Sequence, residues 1–305
     1  MEAGALEGTL KVLESSLSRA QWRLKAASKR RLETDILALC SGMRAVVMVD
    51  YGGKLPELQE RLCKVLKLSQ MESSIYQCLR VMLIEDIVYL IHVRGLAEFV
   101  RSSFNSEMEM HFVDLEQDPP KMVLQNEKSS SVMQLVSVQR MFSMIFPVDG
   151  REGECSTYHG IESITDGKSG IDQTLIERTP EFIDLSSCMK DIKVTIPTLN
   201  GWLLGYPVVY LFSKEHISDA IYNLSTKSLH LFKVVVCRNG TFNKGSQEDE
   251  LMSFSVPYDL SLEGSNEPWA KEFLTRMHAR RERCKQVWSS LHMEVNGCYP
   301  QAIVL

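Results

Sequence analysis

The feature that most constrains this chain is its longest run without a charge, residues 195–212 (TIPTLNGWLLGYPVVYLF). So long a stretch free of charged side chains belongs in an interior. It reads as a β-hairpin: Val194, Ile196, Leu203, Leu204, Val208, Val209, Leu211 and Phe212 are strand formers, and Asn200-Gly201 is a two-residue turn signal. Trp202, Tyr206 and Tyr210 fall at strand spacing, which marks core packing or else the lining of an apolar pocket.

Strands and helices alternate on either side of this run. Leu6, Leu10, Leu13, Leu17, Ala20 and Leu24 recur at spacings of four and three, which predicts a helix over residues 5–28. Its leucine seam packs on its own domain or serves a partner protein. Lys25, Lys29, Arg30 and Arg31 follow as a basic run, expected at a solvated helix end. Residues 44–50 read as a buried strand, which passes through Tyr51-Gly52-Gly53-Lys54 into a helix with Pro56 in its first turn. Residues 79–93 read as two strands turning at Glu85-Asp86, then a helix over 96–103 and a strand over 110–115. Beyond the central hairpin come a helix carrying Ile217, Ala220, Ile221 and Leu224 on one face, with Ser213 as its N-cap, and a strand over 229–236.

A long amphipathic helix over residues 266–289 buries Trp269, Phe273, Met277, Cys284, Val287 and Trp288, and a strand follows at 291–295. Near the end of that helix Arg280, Arg281, Arg283 and Lys285 form either a solvated face or a seat for an acidic partner or phosphate. Residues 132–146 are apolar enough to be buried as helix or strand, while 116–131, 147–180 and 238–250 carry no element signal. The longest of these is an insertion, a linker or a lid. The fold class is therefore α/β or mixed α+β: a mixed sheet with flanking helices, an N-terminal helix and a long C-terminal amphipathic helix. The expected organisation is an N-terminal helix (1–31), an α/β lobe (32–146), a polar insertion (147–180) and a second α/β lobe (181–305), separate from the first or continuous with it.

Composition removes several function classes. A net charge of −5 argues against nucleic acid as the main ligand. Residues 1–7 show no secretory pattern, and the most apolar window, 79–93, is too short to span a bilayer and is broken by Glu85 and Asp86. The eight cysteines are scattered without a CxxC pair, which points to reduced thiols and a cytoplasmic or nuclear location.

The strongest chemical candidate is VVMVDYGGK, residues 46–54. In an open α/β sheet, ligands gather at the carboxyl ends of strands, and helix N-termini offer N–H groups to anions. Asp50 would be the catalytic or metal-binding carboxylate, Gly52 and Gly53 would let the backbone approach a ligand, and Lys54 would neutralise a phosphate. The segment matches neither GxGxxG nor GxxxxGK[ST], and the plainer reading is a tight turn. Asp86 and Asp114 also fall at strand ends, so a carboxylate trio with Asp50 is conceivable. The seven histidines show no zinc spacing, Gly167-Lys168-Ser169 is a chance tripeptide, and Cys155 with Tyr158 and His159 lacks a catalytic framework. No metal site and no cofactor is identified.

At residues 46–53 and 196–212 the chain resembles the uncharacterised vertebrate family of chromosome 1 open reading frame 74 proteins, defined as a domain of unknown function. The resemblance covers most of the chain. It implies no activity, cofactor or catalytic residues. The function expected is that of a soluble intracellular interaction protein, non-enzymatic, binding protein partners through Leu6, Leu10, Leu13, Leu17 and Leu24. The alternative is a small-molecule or phosphate-ligand enzyme with its site at residues 50–54.

Overall fold

A computed structural model describes residues 3–104, 110–125, 129–148, 180–190, 192–239 and 248–301. The fold is mixed α/β, with three sheets flanked by helices. The first sheet runs β1 (Val46–Met48), β3 (Ile87–His92), β2 (Leu79–Ile84), β6 (Phe182–Asp184), with β6 parallel to β2 and the other pairs antiparallel. Its central hairpin turns at Glu85-Asp86, as its sequence predicts, with Ile84 opposite Ile87 and Glu85 at φ 53°. The second sheet sets β4 (His111–Asp114) between β5 (Lys121–Leu124) and β7 (Val208–Leu211), with β7 parallel to β4. The third is an antiparallel sheet of β8 (Leu229–Arg238) between β10 (Trp288–Cys298) and β9 (Glu248–Pro257). Strands β6 and β7 thus bring residues beyond 180 into sheets begun before residue 115.

Period-two alternation places the first sheet between two helical layers. Val88 and Leu90 of β3 pack with α1 (Ala3–Ala20), α2 (Ala26–Cys40) and α3 (Glu57–Glu72), through Leu13, Leu17, Ile36, Leu58, Leu62 and Val65. Tyr89 and Ile91 point the other way, into α4 (Val93–Ser102), α5 (Ser130–Ile145) and α7 (Ile196–Leu203) around Trp202. A third core lies under the last sheet, where Phe232, Phe254 and Trp288 meet Trp269 and Phe273 of α9 (Pro268–Arg283). The short α6 (Ser186–Met189) adds Met189 to the second core, and α8 (Ile217–Ser225) adds Ala220 and Leu224 to the third. Among the described residues no helix is long and apolar enough to cross a membrane.

Several expectations are corrected. The central run is not a hairpin: residues Ile196–Leu203 are helical, and only Val208–Leu211 is a strand. Pro197 sits in the first turn, where its missing N–H costs nothing. Gly205 at φ +71° ends the helix, with Tyr206 N–H bonding to Gly201 O (3.0 Å) and Gly205 N–H to Trp202 O (2.9 Å). This pair of bonds is a Schellman closure. Asn200-Gly201 is spent inside the helix: Asn200 accepts from the Tyr89 hydroxyl, and a Cβ on Gly201 would lie 3.1 Å from Val209 Cγ1.

The first helix stops at Ala20, where Gln21 takes φ 58°. Leu13 (1% exposed) and Leu17 (6%) are buried against the chain itself, while Leu10 and Leu24 are half-buried on neighbouring cores. Leu6 lies outside the residues whose side chains are described. The basic run is no free helix end, because it lies in the first half of α2: Arg30 binds Asp249 (2.5 Å) and Arg31 reaches Asp35 (3.5 Å). The last helix ends at Arg283, and Trp288 opens β10 instead of closing the helix. Strands β5 and β9 arise within segments that lack a strand signal, and residues 132–146 are helical. Ser213 leads into a 3-10 turn, Lys214–His216, before α8 begins. Residues 149–179, most of the polar insertion, lie outside the described residues.

Candidate functional site

Asp50, Gly53 and Lys54 line a cavity of about 390 Å³ together with Asp86. Two of the three aspartates of the conceivable trio therefore meet. Asp114 does not: it lies in the second sheet, accepting from the Glu116 N–H (2.9 Å) and the Gln117 side chain (2.6 Å). The open-sheet logic also lapses, since β1 is an antiparallel edge strand. Gly52 is held by packing, at φ +86° with its carbonyl accepting from Trp22 Nε1 (3.2 Å). A Cβ there would lie 2.9 Å from both Leu24 and Trp22 side-chain atoms. Helix α3 begins with Glu57 and Glu60 in its first turn. Glu57 is paired with Arg61, and in the cavity lining itself Asp50 and Asp86 outnumber Lys54, so the surroundings suit a cation better than a phosphate.

A larger cavity, about 580 Å³, opens where α2, α4, α9 and the turn after α7 converge. Its lining includes Arg44, Arg94, Arg101, Arg276, Arg280 and Arg283 against one carboxylate, Glu98. Its apolar lining includes Phe99, Met110, Leu203, Met252, Phe273 and Met277. The positive charge follows from helical spacing: Arg276, Arg280 and Arg283 recur at i, i+4, i+7 along α9, and Arg94 and Arg101 at i, i+7 along α4. Burial, then the neighbouring Arg283, Arg276 and Arg44 guanidiniums, push Arg280 below its ordinary value. Arg276 has Glu272 as a partner and Arg280 donates to Met43 O (3.3 Å). Arg281, of the same cluster in sequence, turns away to Trp288 O (3.1 Å). His92 also lines the cavity; its Nδ1 accepts the Gly95 N–H (3.0 Å) at the start of α4, and burial, with Arg94, pushes it below its ordinary value.

Arg44 links this cleft to a second chamber. It is 5% exposed, donates to Leu251 O (3.0 Å) and Leu204 O (3.3 Å), and its Nε meets no acceptor among the described residues. With Leu204, Tyr206 and Met252 it lines both the cleft and an adjoining cavity of about 410 Å³. That chamber also exposes Arg31, Asp50, Tyr51, Glu250 and Ser253. Behind it Asp35, 1% exposed, accepts the Tyr51 hydroxyl (2.7 Å) and faces Arg31. Burial raises the Tyr51 and Tyr206 hydroxyls above their ordinary values, so both stay protonated.

Among the described residues one group of side chains lies close enough to share an ion: Glu248, His292 and Glu294, on the outer strands of the third sheet. His292 Nε2 is 3.7 Å from Glu248 and 3.6 Å from Glu294, all near the surface. Cys40 is half-buried and its thiol is pushed up to about 12 by burial, with Cys78 nearby. Asn223, a glycosylation sequon by pattern, is buried and donates to Leu115 O (3.0 Å) and Gln117 O (2.9 Å). Gly167-Lys168-Ser169 and the group of Cys155, Tyr158 and His159 lie outside the described residues.

These features define a mixed α/β protein with an arginine-lined cleft beside a charge-balanced chamber. Residues 14–305 match the family described as Domain of unknown function (DUF4504), and the chain belongs to that family. No curated protein and no solved structure matches the chain.

Proposed function

We propose that this chain binds a small anionic ligand, of the phosphate class, in the arginine cleft. The observation that carries the reading is the convergence of six guanidiniums on one cavity with a single carboxylate among its lining residues, in a chain of net charge −5. Arg276 has Glu272 and Arg94 and Arg101 have contacts of their own, and a bound anion would offset the positive charge that these leave while making charge-assisted bonds. The cleft's size lies in the range of small-molecule sites, and its apolar lining would exclude water from the ion. The reading keeps the phosphate-ligand idea and moves the anion from residues 50–54 to α4 and α9. A role in binding protein partners through the leucines of α1 has less to support it, because Leu13 and Leu17 are enclosed by their own chain. Within the family, we assign the chain to the chromosome 1 open reading frame 74 proteins on residues 46–53 and 196–212.

Isothermal titration of the full chain with inorganic pyrophosphate tests the reading. Wild type should bind, and Arg276→Gln/Arg280→Gln should bind at least about tenfold more weakly, since a hydrogen bond to a charged group is worth about 1.5–3 kcal/mol. Melting temperatures of both proteins, taken without ligand, check that the variant is folded. A wild-type titration with no heat and no ligand-dependent rise in Tm would sink the proposal.

A further inference from the structure

We infer that the arginine cleft and the chamber beside it form one composite site for a phosphorylated polyol. The inference rests on the anion-binding reading above and adds the identity of the rest of the ligand. The cavities share Arg44, Leu204, Tyr206 and Met252, so a ligand anchored in one abuts the other. Their electrostatics differ. The cleft is strongly positive, whereas the chamber balances Arg31 and Arg44 against Asp50 and Glu250. A second phosphate gains little there, and an apolar group would strand polar side chains.

The chamber's open hydrogen-bonding groups narrow the choice. Arg44 Nε is a buried donor with no acceptor among the described residues, in a residue that lines both cavities. Tyr51 and Ser253 spend their hydroxyl protons on Asp35 (2.7 Å) and Glu250 (2.8 Å). The Asp50 carboxylate accepts only. The Tyr206 hydroxyl both donates and accepts, and burial keeps it protonated. A donor, an acceptor and a group that is both are the complement of ligand hydroxyls, each of which donates once and accepts twice. The phosphate would sit among Arg276, Arg280 and Arg283, and the hydroxylated carbon chain would pass Arg44 to reach Tyr206 and Asp50.

Calorimetry of the full chain separates this from anion binding alone. The probes are ribose 5-phosphate, glycerol 3-phosphate and glucose 6-phosphate, with inorganic phosphate, free ribose and O-phosphoethanolamine as comparators. At least one polyol phosphate should bind about tenfold more tightly than inorganic phosphate. Asp50→Asn, outside the cleft, should remove most of that advantage while leaving inorganic phosphate unchanged, and Tyr206→Phe, which lines both cavities, should weaken the polyol phosphates more than inorganic phosphate. Equal affinity for phosphate and all three polyol phosphates, with both variants silent, overturns the composite site and leaves the anion cleft standing. A preference for O-phosphoethanolamine overturns it too, because the chamber would then be selecting an ammonium. Failure of every phosphate to bind removes the inference together with the function it rests on.

Discussion

Asp35 shows what burial does to a single residue here. Its carboxylate is enclosed at the back of the chamber, and burial raises it above the ordinary carboxylate value against the opposing pull of Arg31, Tyr51 and Arg44. A raised folded-state value means that the native chain holds the proton more tightly than the unfolded one. The stability Asp35 contributes is therefore full below the ordinary value of 3.8 and is lost as pH rises through the folded value. Asparagine keeps the shape and cannot titrate. Urea midpoints at about pH 4 and pH 7 should thus show wild type losing stability relative to Asp35→Asn as pH rises. The opposite trend would mean that Arg31 and Tyr51 outweigh burial. Arg44 is the complementary case: a buried cation that burial pushes below its ordinary value, with an Nε that meets no acceptor among the described residues.

At the scale of elements, α1 and α2 are locked to the body by different means. Helix α1 is held by leucines packed on α3, with Arg19 reaching Glu72 at the rim. Leu13→Ala should therefore cost about 2–5 kcal/mol in urea unfolding, the range for a truncated core leucine. A cost below about 0.5 kcal/mol would return the seam to the surface, where a partner could use it. Helix α2 is tied to the third sheet by charge: Arg238 binds Glu33 (2.9 Å) and Asp249 (2.9 Å) and donates to Thr34 Oγ1 (2.7 Å), with Arg238 10% and Asp249 6% exposed at the side chain. Removing Arg238 costs Glu33 its partner and leaves Asp249 with Arg30 alone. Arg238→Met should lower stability by about 1.5–3 kcal/mol, the worth of hydrogen bonds to charged groups, measured by the same unfolding assay.

At the scale of the whole molecule, charge is distributed against the average. A chain of net −5 brings six of its arginines to one cleft, so its average charge opposes the ligand that the cleft attracts. Binding of pyrophosphate should weaken as ionic strength rises from about 0.01 to 0.15 M, as the Debye length falls from about 30 to 8 Å. Calorimetry in a sodium chloride series checks this, and affinity that does not change with salt would place the anion away from the arginines.

What the sequence determined by itself were the features governed by neighbours along the chain. The β2–β3 hairpin was legible because its alternation and its turn are local, and so were α3, α8 and β8. The stretch at 195–212 was misread although its signals are also local: Pro197 in a first turn and Gly205 at a helix end argue for a helix, but Asn200-Gly201 argues for a turn more loudly. Tertiary packing decided between them, because Gly201 lets Val209 approach and Asn200 has Tyr89 to bond. Strand β9 escaped notice because its polar residues meet partners from elsewhere, Asp249 finding Arg30 and Arg238. The candidate site was half legible. The arginines of α9 stand at readable spacing, and Asp50 does line a cavity. Only the fold brings Arg44, Arg94 and Arg280 to one cleft, since they come from three separate segments. A cleft is a property of distances through space, and a sequence records only distances along the chain.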